Sequence, residues 1–191
     1  EALSGAQPLI VALSGGGDSV ALLHLLAEQC GTARLHAIVI DHALREGSAA
    51  DAAQARDIAE ALGVRAEIIR IDWPNGPKRA QASARDARYA ALAVAARRLK
   101  ACVIVTGHTR DDQAETVLMR AARGSSWRGL AGMRALAPAP VWPEGRGVWL
   151  ARPLLGARRE DLRTLLRARD ARWIEDPANA NPDFARVRAR Q

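Results

Sequence analysis

The 191-residue sequence predicts an α/β fold, a doubly wound, mainly parallel sheet with helices on both faces, followed by a short basic helical segment. Apolar runs at 9–13, 35–40, 64–71 and 101–106 are too brief for helices and suit strands of a buried sheet. Longer stretches with apolar residues every three or four positions follow them, the spacing of helices laid on a sheet. Polar and glycine-rich clusters fall where the runs end, the edge at which open parallel sheets bind ligands.

Composition sets bounds on this picture. One sizeable core fits the length, expected as a unit over 1–134 with a loop, a short strand and a basic helical extension over 135–191 packed on it. Aromatic residues are 4% against 49% hydrophobic, so the interior must be aliphatic and rich in alanine. The formal charge is +7, and all basic residues but Lys78 and Lys100 are arginines. That balance suits a polyanionic partner, but basicity alone does not separate nucleic acid from a general preference for arginine. Cys30 and Cys102 are too few and too far apart for a disulfide framework or a thiolate metal site, and are expected as buried thiols of a cytoplasmic protein. No apolar run approaches 18 residues, so no membrane partner is expected. The start at Glu1 leaves room for native residues before it.

Residues 9–13 run into Ser14-Gly15-Gly16-Gly17-Asp18-Ser19, and a helix is expected from there through Ala27. Glycines at a strand-to-helix turn let backbone N–H groups approach a ligand, and the helix start adds unpaired donors. Such a turn is either an inert corner or a phosphate cradle. There is no Walker lysine and no dinucleotide spacing. The flanking hydroxyls suit phosphate oxygens, and Asp18 would repel a bare phosphate unless Mg²⁺ lay between them. The expected ligand is a metal-bound polyphosphate.

The second strand delivers Asp41-His42-Ala43-Leu44-Arg45, where Asp41 is either a carboxylate at the ligand edge or an ordinary loop residue. A helix over 48–62 follows, with Ser48 as its cap and Ala52, Ala55, Ile58, Ala59 and Leu62 on one face. Residues 64–71 form a strand nearer the sheet edge, and 72–78 a loop whose Trp73 reads as a core lid or a stacking platform. A long helix over 80–99 sets Arg85, Arg88 and Tyr89 on one face and Ala87, Ala91, Val94 and Ala95 on another. The arginine face is a solvated surface or a phosphate clamp. The fourth strand leads into Gly107-His108-Thr109-Arg110-Asp111-Asp112-Gln113-Ala114-Glu115-Thr116. Asp111 or Asp112 can cap the next helix, with Ala114, Val117, Leu118 and Ala121 as its buried stripe, but two carboxylates beside a histidine exceed what a cap needs. Mg²⁺ prefers oxygen ligands, so His108 reads as a polar or acid–base group.

Glycines at 124, 129 and 132 beside Trp127 and Arg128 suggest an active-site loop. Residues 135–147 read as a loop or hairpin arm, 148–151 as a short strand and 158–169 as a helix alternating arginine with leucine. From 152 to 191 there are ten arginines against six acidic residues, either a solvated basic face or a surface for RNA phosphates.

Ser-Gly-Gly-x-Asp-Ser at 14–19 resembles the pyrophosphate-binding loop of the PP-loop (N-type) ATP pyrophosphatases, an adenine nucleotide alpha hydrolase-like fold. Within that superfamily the chain resembles the tRNA(Ile)-lysidine synthase family. The resemblance runs through Asp-His-x-Leu-Arg at 41–45 with Ala43 for the usual glycine, Ala-Arg-x-x-Arg-Tyr at 84–89, and His-x-x-Asp-Asp-Gln-Ala-Glu-Thr at 108–116. It continues through Arg120, 123–125, 128–133, Arg-Pro-Leu at 152–154, Arg-x-x-Leu at 159–162 and Trp-Ile-Glu-Asp-Pro-x-Asn at 173–179. Arg110 and Val187 depart from the family's pattern.

The resemblance implies ATP and Mg²⁺ as cofactors, with Ser14, Gly15, Gly16, Gly17, Asp18, Ser19, Asp41 and Gly107 binding the nucleotide. Catalytic roles fall on Asp18, Arg85, Arg88, His108, Asp111 and Asp112, with Asp18 and Asp112 toward the metal. Expected partners are tRNA(Ile) with a CAU anticodon and free L-lysine. The implied reaction adenylates C2 of the wobble cytidine and then replaces AMP by lysine. Rivals are another tRNA-modifying ATP pyrophosphatase and a catalytically incomplete nucleotide- or RNA-binding domain. A thiolase would be expected to carry paired Cys-x-x-Cys motifs, and an ammonia-supplying synthetase an added domain for which there is no room. Many family members carry further C-terminal regions, so the chain is expected as a short form or a fragment.

Overall fold

The fold is described by a computed structural model over residues 5–73, 81–124 and 131–175. Along the chain these form β1 (Leu9–Ala12), α1 (Gly17–Cys30), β2 (Leu35–Asp41), α2 (Ser48–Ala61), β3 (Arg65–Arg70), α3 (Gln81–Arg98), β4 (Val103–Thr106), α4 (Arg110–Ala122), β5 (Leu136–Pro138), β6 (Trp149–Ala151) and α5 (Arg159–Ala168). The six strands make one sheet in the order β3-β2-β1-β4-β6-β5, parallel except for the β5–β6 hairpin. The expected doubly wound, mainly parallel fold is borne out, and β3 lies at an edge as its half-exposed pattern implies.

Strand alternation divides the interior. Leu9, Val11, Leu35, Ala37, Val39, Val103 and Val105 face a core formed with α1, α2 and α5. Ile10, Ile38, Ile104 and Leu150 face a second core against α3. Full burial of each such aliphatic side chain contributes roughly 1.5–3 kcal/mol before the entropy of ordering is counted. The chain reverses between β1 and β4, so their carboxyl ends open a crevice where the order of connection switches. No helix among the described residues is long and apolar enough to cross a membrane.

Several local expectations are corrected. Gly47, not Ser48, is the N-cap of α2, with φ +84 and no side-chain cap bond. On α3 the buried face is Tyr89, Leu92, Ala93, Ala95 and Ala96; of the residues expected there Ala95 is buried, Ala87 and Ala91 are half-buried and Val94 is 55% exposed. The alanine-rich sequence of α3 leaves the phase of its apolar face poorly marked, and the bulk of Tyr89 and Leu92 decides it. The stripe expected on α4 is outward: Ala114 and Ala121 are exposed, Leu118 is 52% exposed, and Glu115 is the residue buried there. That helix is held by polar ties at its start, where Thr109, not either aspartate, is the N-cap in a reciprocal box with Asp112. Of the two cysteines, Cys102 is exposed. Trp73 donates its indole N–H to the His42 carbonyl at 2.7 Å, tying the end of β3 to the turn after β2. The loop over 74–78, the 125–130 part of the glycine-rich segment and Arg186 to Arg190 lie outside the described residues.

Candidate active site

The glycine turn leaves β1 at its carboxyl end and enters α1, whose N-cap Gly16 supplies no side-chain bond. The Ser19 and Val20 N–H groups both donate to the Gly16 carbonyl at 3.0 Å, which leaves the N–H groups of Gly17 and Asp18 as the ones aimed out of the helix start. The hydroxyls organise the turn: the Ser14 N–H donates to Ser19 Oγ at 3.2 Å, the two Oγ atoms lie 3.1 Å apart, and Ser19 Oγ donates to the Gly16 carbonyl at 2.9 Å. Gly15 has φ +83, and a Cβ on it would collide with Ile174 Cδ1. Across the turn, Gly107 packs so closely that a Cβ would sit 2.8 Å from the Asp18 carbonyl oxygen and 3.0 Å from Ser19 Cα. Glycine is therefore needed at 15 for conformation and at 107 for close approach.

A cleft of about 460 Å³ opens above this turn. Into it come Ser14, Gly16, Gly17, Asp18 and Ser19 from the loop, Arg85 and Arg88 from α3, Gly107, His108 and Asp112 after β4, and Arg159, Arg163, Trp173 and Glu175 from α5 and beyond. The guanidiniums of Arg85 and Arg88 lie 4.9 and 5.1 Å from the centroid of the buried Tyr89 ring, which fixes them over an aromatic face. Both arginines thus belong to the cleft rather than to a solvated face.

Arg159 is the residue that sequence reasoning left among surface arginines. Its Nε donates to Asp18 Oδ2 at 2.9 Å and its Nη2 to Asp112 Oδ1 at 3.1 Å, while Nη1 lies 3.6 Å from Glu115 Oε1. Its backbone N–H donates to Asp111 Oδ2 at 2.9 Å. One guanidinium therefore gathers carboxylates from α1 and α4. Burial works against its charge, but Asp18, then Asp112 and Glu115, outweigh that and raise its pKa. Burial also raises the Asp18 pKa, opposed by Arg159. The Arg-x-x-Leu piece at 159–162 was the signal that could have singled it out.

His108 Nδ1 lies 2.8 Å from Thr106 Oγ1, and burial pushes its pKa down to about 4; Asp112 opposes, while Arg152, Arg88 and Arg85 reinforce the fall. It is uncharged at neutral pH. Because the folded pKa lies below the unfolded 6.5, the unfolded chain binds the extra proton first. The resulting penalty is absent above about pH 6.5, grows as pH falls and levels off below about 4. The urea midpoint of wild type is expected to fall across that window more steeply than that of His108→Gln; parallel profiles would contradict this.

Two predicted residues stand apart. Asp111 does not line the cleft; it positions the start of α5 through the Arg159 N–H. Asp41 is buried, and its Oδ1 accepts from the Ala43 N–H at 2.9 Å, holding Ala43 at φ +50. A glycine would adopt that conformation with less strain. Asp41 and His42 line an adjoining groove of about 480 Å³ that shares Ala12, Ser14 and Arg88 with the cleft and is walled by Ile38, Ile40 and Leu92.

Asp18 and Asp112 offer the hard oxygen donors that Mg²⁺ prefers. They fit an ion carried mainly by phosphate oxygens and not a protein cage: among the described residues no group of three or more acidic, histidine or cysteine side chains is disposed to hold a metal. Asp112 already uses Oδ2 toward Thr109 and Oδ1 toward Arg159.

A family model for the PP-loop domain matches residues 2–191. The chain belongs to the PP-loop family. Among curated proteins, this PP-loop chain is 48% identical to the tRNA(Ile)-lysidine synthase of Hyphomonas neptunium, with 96% of the chain and 50% of that protein aligned. It is 44% identical to the tRNA(Ile)-lysidine synthase of Salinispora arenicola over 98% of the chain and 56% of that protein. The expected resemblance is therefore borne out, and the PP-loop chain spans about half the length of the curated relatives it matches. In fold it is similar to a U34-tRNA thiolase from Methanococcus maripaludis, with a TM-score of 0.78 at 20% identity over 98% of this chain and 65% of that one. An NH3-dependent NAD synthetase from Campylobacter jejuni gives 0.53 at 13% identity over 88% and 66%.

Proposed function

We propose that this chain carries out ATP-dependent lysidine formation on the wobble cytidine of tRNA(Ile) with a CAU anticodon. The observation that carries the reading is the convergence of the glycine turn, two arginines and an acidic cluster on one cleft, in a chain similar along nearly all its length to lysidine synthases. The β- and γ-phosphates of ATP lie on residues 14–19, and the nucleoside extends into the groove beside Asp41 and His42. The C2 oxygen of cytidine attacks the α-phosphorus; the bond to pyrophosphate breaks and pyrophosphate leaves. An amine of lysine then attacks C2, the C2–O bond breaks, AMP departs with the electron pair, and the amine loses a proton.

Arg85 and Arg88 stabilise negative charge that grows on the transferring phosphate. Asp18 and Asp112 would hold Mg²⁺, which supplies neutralisation of the polyphosphate when bound. The negative charge that Asp18, Asp112 and Glu115 hold beyond the single cation of Arg159 attracts the lysine ammonium. Uncharged His108 is available to accept a proton and adds no positive charge to compete with the arginines. The thiolase alternative draws no support from the cysteines, since Cys30 and Cys102 cannot form paired Cys-x-x-Cys motifs.

The test is pyrophosphate and AMP release from Mg·ATP with tRNA(Ile), with and without lysine. Pyrophosphate release that needs the RNA, with AMP release that needs lysine, is expected. Release that ignores both would overturn the reading.

A further inference from the structure

Among the described residues lining the cleft, Trp173 carries the largest flat apolar face; apart from the smaller His108 imidazole, the others are charged, hydroxylic, small or aliphatic. Its indole is fixed in place. Nε1–H donates to Glu175 Oε1 at 2.8 Å, and the other Glu175 oxygen lies 3.6 Å from Arg163 Nη2. The edge of the ring rests on the loop: a Cβ at Gly17 would meet Cδ1 at 3.5 Å and Nε1 at 3.7 Å. The next residue is tied to the same loop, its Ile174 N–H donating to the Gly15 carbonyl at 2.8 Å. Trp173 is half-buried, so it keeps surface toward the cleft.

A rigid flat side chain held by its polar edge in a cleft of phosphate-binding groups suits a ligand with an apolar face and a polar rim, which describes a nucleobase. Two bases are available if the proposed reaction holds. The adenine side of ATP has an aliphatic groove of its own next to Asp41, on the Arg88 side of Ser14, and Trp173 is not among its walls. The other base is the one to be modified, which must leave its neighbours to reach the α-phosphorus. We propose that Trp173 is the platform on which the acceptor nucleobase of the RNA stacks, with Glu175 and Arg163 setting the orientation of the ring. This rests on the reading of the acceptor as an RNA base and adds the residue that receives it.

The experiment compares wild type, Trp173→Phe and Trp173→Leu in the full chain. The probes are Mg·ATP alone, and a CAU anticodon stem-loop RNA with the same loop carrying uridine in place of the wobble cytidine as its control. Base–aromatic stacking predicts a KM for RNA raised on the order of tenfold to a hundredfold in the leucine variant, largely restored by phenylalanine, with ATP affinity within about twofold of wild type. Indole fluorescence is expected to be quenched by the cytidine stem-loop in wild type, by a component missing from Trp173→Phe. Unchanged RNA dependence in Trp173→Leu, or a Trp173 signal quenched by Mg·ATP alone with loss of ATP affinity, would overturn the proposal. Should the leucine variant not fold, the quenching difference between wild type and Trp173→Phe decides it. The two readings fail separately: stem-loop quenching without lysine-dependent turnover removes the ligase reading and keeps the platform, and turnover indifferent to Trp173 does the reverse.

Discussion

Arg159→Ala is expected to reduce RNA-dependent pyrophosphate release by at least about a hundredfold, because one guanidinium holds two carboxylates of the cleft, Asp18 and Asp112, and the buried Glu115 behind them. It should also destabilise the fold. Breaking a buried ion pair costs roughly 3–5 kcal/mol, and since Asp18 and Asp112 keep about a fifth of their side chains exposed, the loss is expected near or below ~3 kcal/mol. The sign with pH is distinctive. Arg159 holds the Asp18 carboxyl down against burial, so without it Asp18 gains a proton more readily than in wild type; a neutral acid needs no counter-ion, and the deficit of the variant should shrink as pH falls. Arg159→Lys keeps the charge but cannot fork toward Asp18, Asp112 and Glu115 together, and should recover more stability than rate. Denaturant midpoints at several pH values, with initial rates, check both halves. A full rate in the alanine variant would remove Arg159 from the site.

Gly107→Ala carries the second large effect. The added methyl meets main-chain atoms of Asp18 and Ser19, which no rotamer change can relieve. The end of β4 and the start of α1 must part, and overpacking of this kind costs about 1–3 kcal/mol. The displacement moves the glycine turn itself, so Mg·ATP binding should weaken on the order of tenfold or more beyond any loss of folded protein. Gly156→Ala is the matched control, since nothing lies within 4 Å of its would-be Cβ, and it should stay near wild type. Calorimetric ATP titration of both variants distinguishes them; equal affinity for Gly107→Ala and wild type would show that the loop tolerates the shift.

The strands were legible because β1, β2 and β4 are near-continuous aliphatic runs, as buried parallel strands must be. The turn at 14–19 and the 107–116 segment were legible because their chemistry is local in sequence. What escaped was direction. The period of α4 is helical, but its apolar side faces out, since Glu115 turns inward toward a cation that arrives from α5. Arg159 escaped for the same reason: on its own helix it is one of several arginines, and its partners lie far back along the chain. Caps were misassigned at Ser48 and Asp111 or Asp112 because several hydroxyl, carboxylate and glycine candidates stand side by side there, and backbone angles choose among them.

The bond from the Ile174 N–H to the Gly15 carbonyl has a consequence for biosynthesis. Asp18 leaves the ribosome 141 residues before Arg159, its counter-ion in the finished fold. Through that interval the nascent chain holds the glycine turn without its opposite wall, and the acidic cluster gathers without its cation. A chain halted before Arg159 would therefore carry the whole phosphate-binding motif and still lack an assembled cleft. The turn is the first part of the site to be made, and its geometry is completed only when Arg159 and Ile174 have followed it.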